Sequence, residues 1–310
     1  MVNRVTELGN TRLIQSLVSN TQDRIQDRQL QLSSMQKSQD YVGIANESSR
    51  LVTVEASKRR IDQFLSENTF INLRMDTTIN SITSLKTSLK DMKNLVRDIL
   101  DDKALPGGVD KDEISGTKMQ EIEDFLNVKV NGRYIFAGSM TETKPVAPNS
   151  FGTAPTFDGS NTTEAEPAYY YKGDDTQVKA RISEGVELKY GLTATDQGFE
   201  KLIRAVRIVR ETSLSDANAE AKFQNAMDLL HQSDDRLTAL SLNVGVKVMQ
   251  LDKTKTNLTN IKNDLNSVIA EIERPNEFQA VTEMSHDMNM LQSSYEATVR
   301  LNSLSLANFL

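Results

Sequence analysis

The chain has no cysteine and no tryptophan, only two histidines, and 5% aromatic residues in 310 positions. The lack of cysteine excludes disulfides, thiolate nucleophiles and every metal or cluster site built on Cys. His231 and His286 are far apart and leave almost no material for imidazole catalysis or a His-rich metal centre. Basic residues are outnumbered: 36 Lys and Arg face 43 Asp and Glu, for a net charge of −7. A nucleic-acid binder would normally carry a basic stripe to meet phosphates, so the balance argues against one. No apolar run approaches the roughly 18 residues of a transmembrane helix. The first twenty residues mix polar and apolar positions and lack the continuous apolar segment of a cleavable signal peptide. These signs suit a cytosolic chain or one exported by a route that does not read such a signal.

Glycine and proline are scarce but concentrated. Residues Asn131 to Phe199 hold 8 of the 14 Gly, 4 of the 6 Pro and 9 of the 17 Phe and Tyr, including the run Tyr169-Tyr170-Tyr171. Turn clusters there (Val130-Asn131-Gly132, Phe157-Asp158-Gly159-Ser160, Lys172-Gly173-Asp174-Asp175) separate short pieces at 134–137, 168–171, 178–182 and 186–190 that read as small antiparallel strands. The flanks follow a seven-residue repeat instead. From Phe223 to Ile272 the 3-4-3-4 seam has 11 apolar residues in 15 positions, and Val54, Ile61, Leu65, Met75, Ile79, Ile82, Leu89, Val96 and Leu100 form its upstream counterpart. The upstream helix should stop before Leu105-Pro106-Gly107-Gly108, and a shorter helix over about 115–128 should follow.

Both ends carry the repeat more weakly. Ile14, Val18, Ile25, Leu32 and Met35 share one seam with Thr21, Arg28 and Gln39. Phe278, Val281, Met288, Tyr295 and Val299 share the other with Ser285, Gln292 and Asn302, and a second stripe runs through Met284, Leu291 and Leu301. A helix apolar on more than one side awaits more than one neighbour. The expected fold is mainly α with an inserted β domain (α+β): a long antiparallel, coiled-coil-like helix bundle formed from both termini, with a central β-rich domain at its tip. The expected divisions are an N-terminal assembly helix (1–50), a helical rod segment (51–130), the β-rich tip (131–196), a second rod segment (197–274) and a C-terminal assembly helix (275–310).

Catalytic chemistry has little to build on. Ser285-His286-Asp287 are adjacent on a helix and point in different directions, so they cannot form a relay. Asp174-Asp175 lacks the alternate acids and closing Glu of a calcium loop. Leu105-Pro106-Gly107-Gly108 lacks the Lys of a phosphate loop. Asn161-Thr162-Thr163 matches a glycosylation acceptor too common to carry weight. The tyrosine run offers a possible sugar-stacking surface, although alternate strand residues more often divide between core and solvent. The expectation is no enzyme, no cofactor and no metal.

Two stretches carry a family likeness. Asn127-Val128-Lys129-Val130-Asn131-Gly132-Arg133-Tyr134-Ile135-Phe136-Ala137-Gly138-Ser139 resembles the signature that leads from helix to tip domain in flagellar axial proteins. Ser303-Leu304-Ser305-Leu306-Ala307-Asn308-Phe309-Leu310 resembles the ending of hook-associated proteins at the hook-filament junction, relatives of flagellin. The chain departs from the family at 38–47, which lacks a Ser- and Asp-rich, Pro-containing loop, and at Met1-Val2-Asn3-Arg4-Val5-Thr6. The resemblance implies a structural protein of the bacterial flagellum, exported unfolded through the flagellar type III channel without a cleaved signal peptide. It would join hook to filament by head-to-tail packing of its terminal helices. The implied partners are other copies in a ring, a neighbouring hook-associated protein, flagellin and an export chaperone. The assembly residues would be Ile14, Val18, Ile25, Leu32, Met35, Phe278, Val281, Met288, Tyr295, Val299, Leu304, Leu306, Phe309 and Leu310. A flagellin that forms the filament itself is the alternative, and a secreted binding module using the β domain is a second.

Overall fold

The computed structural model describes residues 2–41, 43–45, 47–101, 110–150 and 169–307, the side chains of 2–11 and 301–307 excepted. The stop signal at 105–108 and the Asn161-Thr162-Thr163 acceptor lie outside the described residues. The protein is mainly α: α1 (Val2–Ser34), α2 (Ser48–Leu100), α3 (Lys111–Leu126), β1 (Lys129–Val130), β2 (Arg133–Tyr134), β3 (Lys179–Ser183), β4 (Val186–Lys189), α4 (Gln197–Glu211), α5 (Ala219–Glu273) and α6 (Glu277–Ala307). It divides into two compact units, Ile61–Thr259 and a second made of Met1–Arg60 with Asn260–Leu310; α2 and α5 contribute to both.

In the unit Ile61–Thr259 the seven-residue repeat is visible as burial. Phe223, Leu230, Leu237, Val244, Leu251 and Leu258 are buried at every seventh position of α5, while Met227, Asp234, Ser241, Val248 and Lys255 between them are half-buried. On α2 the buried positions Ile71, Met75, Ile82, Leu85, Leu89, Met92 and Val96 join the same core. Asp234 accepts from Lys93 at 2.9 Å and lies 3.4 Å from Lys86, which donates to Thr238 at 2.6 Å, so α2 and α5 lie side by side in opposite directions. Partial burial opposes ionisation of Asp234, but the Lys93 bond and the two ammonium charges outweigh it and hold the carboxyl below its usual range.

The expected rod segment 197–274 is two helices. α4 starts at Asp196, whose carboxylate accepts the Gly198 N–H at 2.9 Å, and it stops at Thr212. Ser233 donates to the Gly198 carbonyl and Arg236 grips Asp196, tying the start of α4 to α5. The helix is buried along most of its length, including the Glu200–Arg204 pair at 3.0 Å.

The segment between α3 and α4 contains less sheet than its turn pattern suggests. Among the described residues it has two antiparallel hairpins, β1–β2 and β3–β4, and two isolated bridges, Ala137 to Thr193 and Val146 to Tyr171. Of the expected strand at 134–137 only Tyr134 is in a strand, and 169–171 contributes one bridge. Loop backbone is held by single bonds instead, such as Ala147 N–H to the Tyr170 carbonyl (2.9 Å) and Ala194 N–H to the Phe136 carbonyl (3.0 Å).

In the other unit α1 and α6 pack antiparallel. Arg24 pairs with Asp287 at 2.8 Å, Arg28 pairs with Glu283, and Gln22 donates to the Tyr295 hydroxyl at 2.8 Å. α1 ends at Met35 in the left-handed region (φ 55°), a common helix stop. Lys37 N–H then bonds the Glu273 carbonyl at 2.6 Å, fastening the loop after α1 to the end of α5. Asn276 and Pro275 separate α5 from α6.

Candidate assembly interface

α1 presents its expected seam to α6. Ile25 is buried, Ile14, Val18 and Leu32 are half-buried, and the polar seam member Thr21 is also buried. Met35, at the helix end, is exposed. Leu13, Leu17 and Leu30 are exposed off this seam, a set the heptad count passes over.

α6 behaves differently. Its sheltered face runs through Ala280, Glu283, Met284, Asp287, Leu291, Ser294 and Thr298, which are buried or half-buried. This face includes Met284 and Leu291 of the second stripe; the Leu301 side chain lies outside the described residues. The stronger stripe, Phe278, Val281, Met288, Tyr295 and Val299, is exposed throughout, with Phe278 at 83% and Val299 at 68%. At 3.6 residues per turn, Met288 and Tyr295 lie about a quarter turn from Asp287 and Ser294. The helix therefore satisfies one face within the chain and leaves a more apolar one uncovered. Among the remaining expected residues, the side chains of Leu304 and Leu306, and Phe309 and Leu310 entirely, lie outside the described residues.

Ion pairs fasten α6 to α1. Hydrogen bonds from Arg24 hold the Asp287 carboxyl below its usual range against a smaller desolvation cost, and the Arg24 guanidinium is raised in turn. Asp287 thus turns inward, which removes it from any relay with the exposed Ser285 and His286.

The 127–139 motif is explained by its geometry. Asn127 ends α3; its Nδ2 donates to the Glu123 and Val146 carbonyls at 2.7 Å each, and its Oδ1 accepts the Val146 N–H at 3.0 Å. Asn131 and Gly132 both have positive φ (51° and 75°), as a two-residue hairpin turn requires. Lys129 lies over the Tyr134 ring at 4.4 Å. Phe136 is fully buried and meets Phe199 edge to face at 5.6 Å. Gly138 (φ 68°) runs so close to Asp174 that a Cβ would strike its backbone. Ser139 donates to Asp174 through both its N–H and its hydroxyl, and these bonds hold that carboxyl low. The motif joins a helix end to the loops beyond it and exposes no reactive group.

The tyrosine run forms no stacking surface. All three rings are buried; Tyr170 donates to the Ala194 carbonyl at 2.9 Å and Tyr171 to the Asp174 carbonyl at 2.7 Å. Burial raises all three phenol pKa values. Among the described residues no group of three His, Asp or Glu is placed to hold a metal ion, and no helix is long and apolar enough to cross a membrane.

The fold is that of flagellar hook-associated proteins. A protein assigned as a flagellar hook-associated protein of Vibrio parahaemolyticus superposes with a TM-score of 0.57 at 16% identity, over 76% of this chain and 99% of that one. FlgL of Bacillus cereus superposes with a TM-score of 0.53 at 17% identity, over 71% and 99%. FlgL of Xanthomonas campestris gives 0.52 at 10% identity, over 70% and 98%. No family model and no curated protein sequence matches the chain.

Proposed function

We propose that this chain is a structural protein of the bacterial flagellum that joins hook to filament, its terminal helices packing head to tail against those of neighbouring subunits. The shared fold supports the flagellar setting. The observation that carries the packing is the apolar stripe of α6, which stays exposed after the helix has already paired with α1. Large apolar side chains contribute roughly 1.5–3 kcal/mol each when fully buried, so a stripe of five is enough to hold a subunit in an assembly. On this reading residues 1–50 and 275–310 are the assembly helices, 51–130 and 197–274 a coiled-coil-like rod, and 131–196 a tip domain. Its partners are further copies in a ring, a neighbouring hook-associated protein and flagellin, after export with a chaperone through the type III channel and without a cleaved signal peptide. The role is scaffolding rather than catalysis.

The triple variant Val281→Ser, Met288→Ser, Val299→Ser tests this. Its side chains are exposed, so the free chain should melt as before, be exported, and yet fail to retain filament, with flagellin accumulating in the medium. Intact filaments on cells making the triple variant would refute the packing role. Labelling of the protein on isolated flagella separates junction from filament: signal at the end of the hook supports the junction, and signal along the filament supports a flagellin.

A further inference from the structure

Two hairpins of the unit Ile61–Thr259 gather positive charge on a chain whose net charge is −7. The β3–β4 hairpin is two-sided: Ile182 and Leu188 are buried, while Lys179, Arg181, Glu187 and Lys189 are exposed. Lys179 stands opposite Lys189 and Arg181 opposite Glu187, so these four share the outer face. Glu187 is engaged by Lys179 at 3.2 Å, and among the described residues no ion pair reaches Arg181 or Lys189. Like charges directly opposite on a sheet are destabilising, and packing does not require these two lysines because both are exposed. The β1–β2 hairpin adjoins this one. Tyr134 of β2 lines a small cavity with Val178 and Tyr190, the residues that border β3 and β4, and with Arg74, which donates to the Tyr190 hydroxyl at 3.2 Å. Lys129 covers the Tyr134 ring, and Arg133 is exposed beside it. Residues 129–134 and 179–189 together hold five cations against two carboxylates, Glu184 and Glu187. The next acids in sequence, Glu142, Asp174 and Asp175, lie outside both hairpins, and Asp174 is taken up by Ser139.

We infer that the outer face of these hairpins docks an anionic polysaccharide, with its sulfate or carboxylate groups seated among Lys179, Arg181 and Lys189. Directly opposite residues stand about 5 Å apart and alternate residues of one strand about 7 Å apart, so these long side chains can converge on one anionic group. An incoming anion also relieves the repulsion between Lys179 and Lys189. A polymer is favoured over a single small anion because exposed charges are screened and hold one ion weakly, whereas repeated charges along one strand of sugar bind together. Sugar is favoured over nucleic acid because proteins that hold single strands add aromatic platforms for the bases. The aromatic rings of this region offer none: Tyr134 is covered by Lys129, and Tyr190 is buried.

The test passes the full-length protein over immobilised heparin at low ionic strength and elutes it with salt. The docking face predicts retention of the wild-type chain in spite of its net negative charge. Arg181→Gln combined with Lys189→Gln should elute at lower salt, and the slope of log affinity against log salt should fall by about 2, one for each cation lost. Lys90→Gln combined with Lys253→Gln makes the same change in net charge at exposed positions of α2 and α5 and should elute with the wild type. Flow-through of the wild type, or an equal shift in both double variants, would overturn the inference. Release by soluble single-stranded DNA at a lower charge concentration than by soluble heparin would overturn it in favour of nucleic acid. All four substitutions are at exposed positions, so melting at the wild-type temperature confirms that folding is not the cause. The readout is glycan binding by the free chain, so its failure leaves the hook-filament reading standing, and the reverse also holds.

Discussion

Replacing Asn127 with alanine probes the joint between helix and loop. Val146 is fully buried, and the Asn127 side chain bonds both its N–H and its C=O. Truncation strands both groups away from water, at about 1–3 kcal/mol for each buried group left without a partner, and the Glu123 carbonyl loses a bond at the end of α3. The two stranded groups alone sum to about 2–6 kcal/mol. For a unit of this size that corresponds to a fall of roughly 4–24 °C in melting temperature. Near-UV circular dichroism reads it, because five of the seven tyrosines lie in Ile61–Thr259. Asn127→Asp sharpens the test: its carboxylate still accepts the Val146 N–H but faces the Val146 and Glu123 carbonyls with no proton to donate. It should be at least as damaging at neutral pH and partly recover in acid, where a protonated carboxyl regains one donor. A loss below about 0.5 kcal/mol for the alanine variant, the range of ordinary surface changes, would show that the amide clasp is incidental.

Gly116, inside α3 with open space where a Cβ would stand, should stabilise the protein by about 0.5–1 kcal/mol when changed to alanine, seen as a raised denaturation midpoint. Gly132→Ala also meets nothing, but its φ of 75° should make the change cost about 1 kcal/mol instead. Tyr170→Phe should cost about 1–3 kcal/mol in the same assay by stranding the buried Ala194 carbonyl. The α1–α6 pairing should depend on acid. The folded-state pKa of Asp287 is depressed by Arg24, with His286 and Arg28 adding to it, so its contribution is present above the usual carboxylate value near 4 and lost as pH falls through the lower folded value. Hydrogen exchange in α6 should accelerate over that range, and Asp287→Asn should remove the acid-dependent part; an unchanged profile in the variant would assign it elsewhere.

The long helices were legible because a seven-residue repeat leaves a strong trace, and the burial of α5 at 223, 230, 237, 244, 251 and 258 follows it residue by residue. α4 was not. Its sequence is strongly two-sided, with Phe199, Leu202, Ile203, Val206 and Val209 on one face, Lys201, Arg204, Arg207 and Glu211 on the other, and Asp196 as cap, but a seven-residue count that begins at Phe223 passes over it. The sheet content was overread for a different reason. Turn residues and short apolar pieces also describe loops whose backbone is tied down singly, by Asn127, Ser139 and the buried tyrosines, and composition alone does not separate the two. The tyrosine run was expected to alternate between core and surface, but with only one bridge at Tyr171 no strand forces alternation, and all three rings turn inward.

The faces of α6 illustrate why counting apolar positions does not decide which face a helix buries first. Its richer stripe begins with Phe278 and would be the natural core choice for an isolated chain. Instead the face through Ala280, Met284, Asp287 and Leu291 meets α1, because Arg24 and Arg28 reach the Asp287 and Glu283 carboxylates there. Surface ion pairs contribute little free energy each, so they would not outweigh a stripe of five large apolar groups if α1 could cover either face equally. α1 cannot: its own seam is interrupted by Thr21 and Arg28, and pairing the guanidiniums with Phe278 and Met288 would leave charge against apolar surface and two carboxylates without partners. The polar interruptions that weaken both seams are therefore the features that orient them. In orienting them they leave the apolar stripe of α6 exposed, the face on which the proposed packing depends.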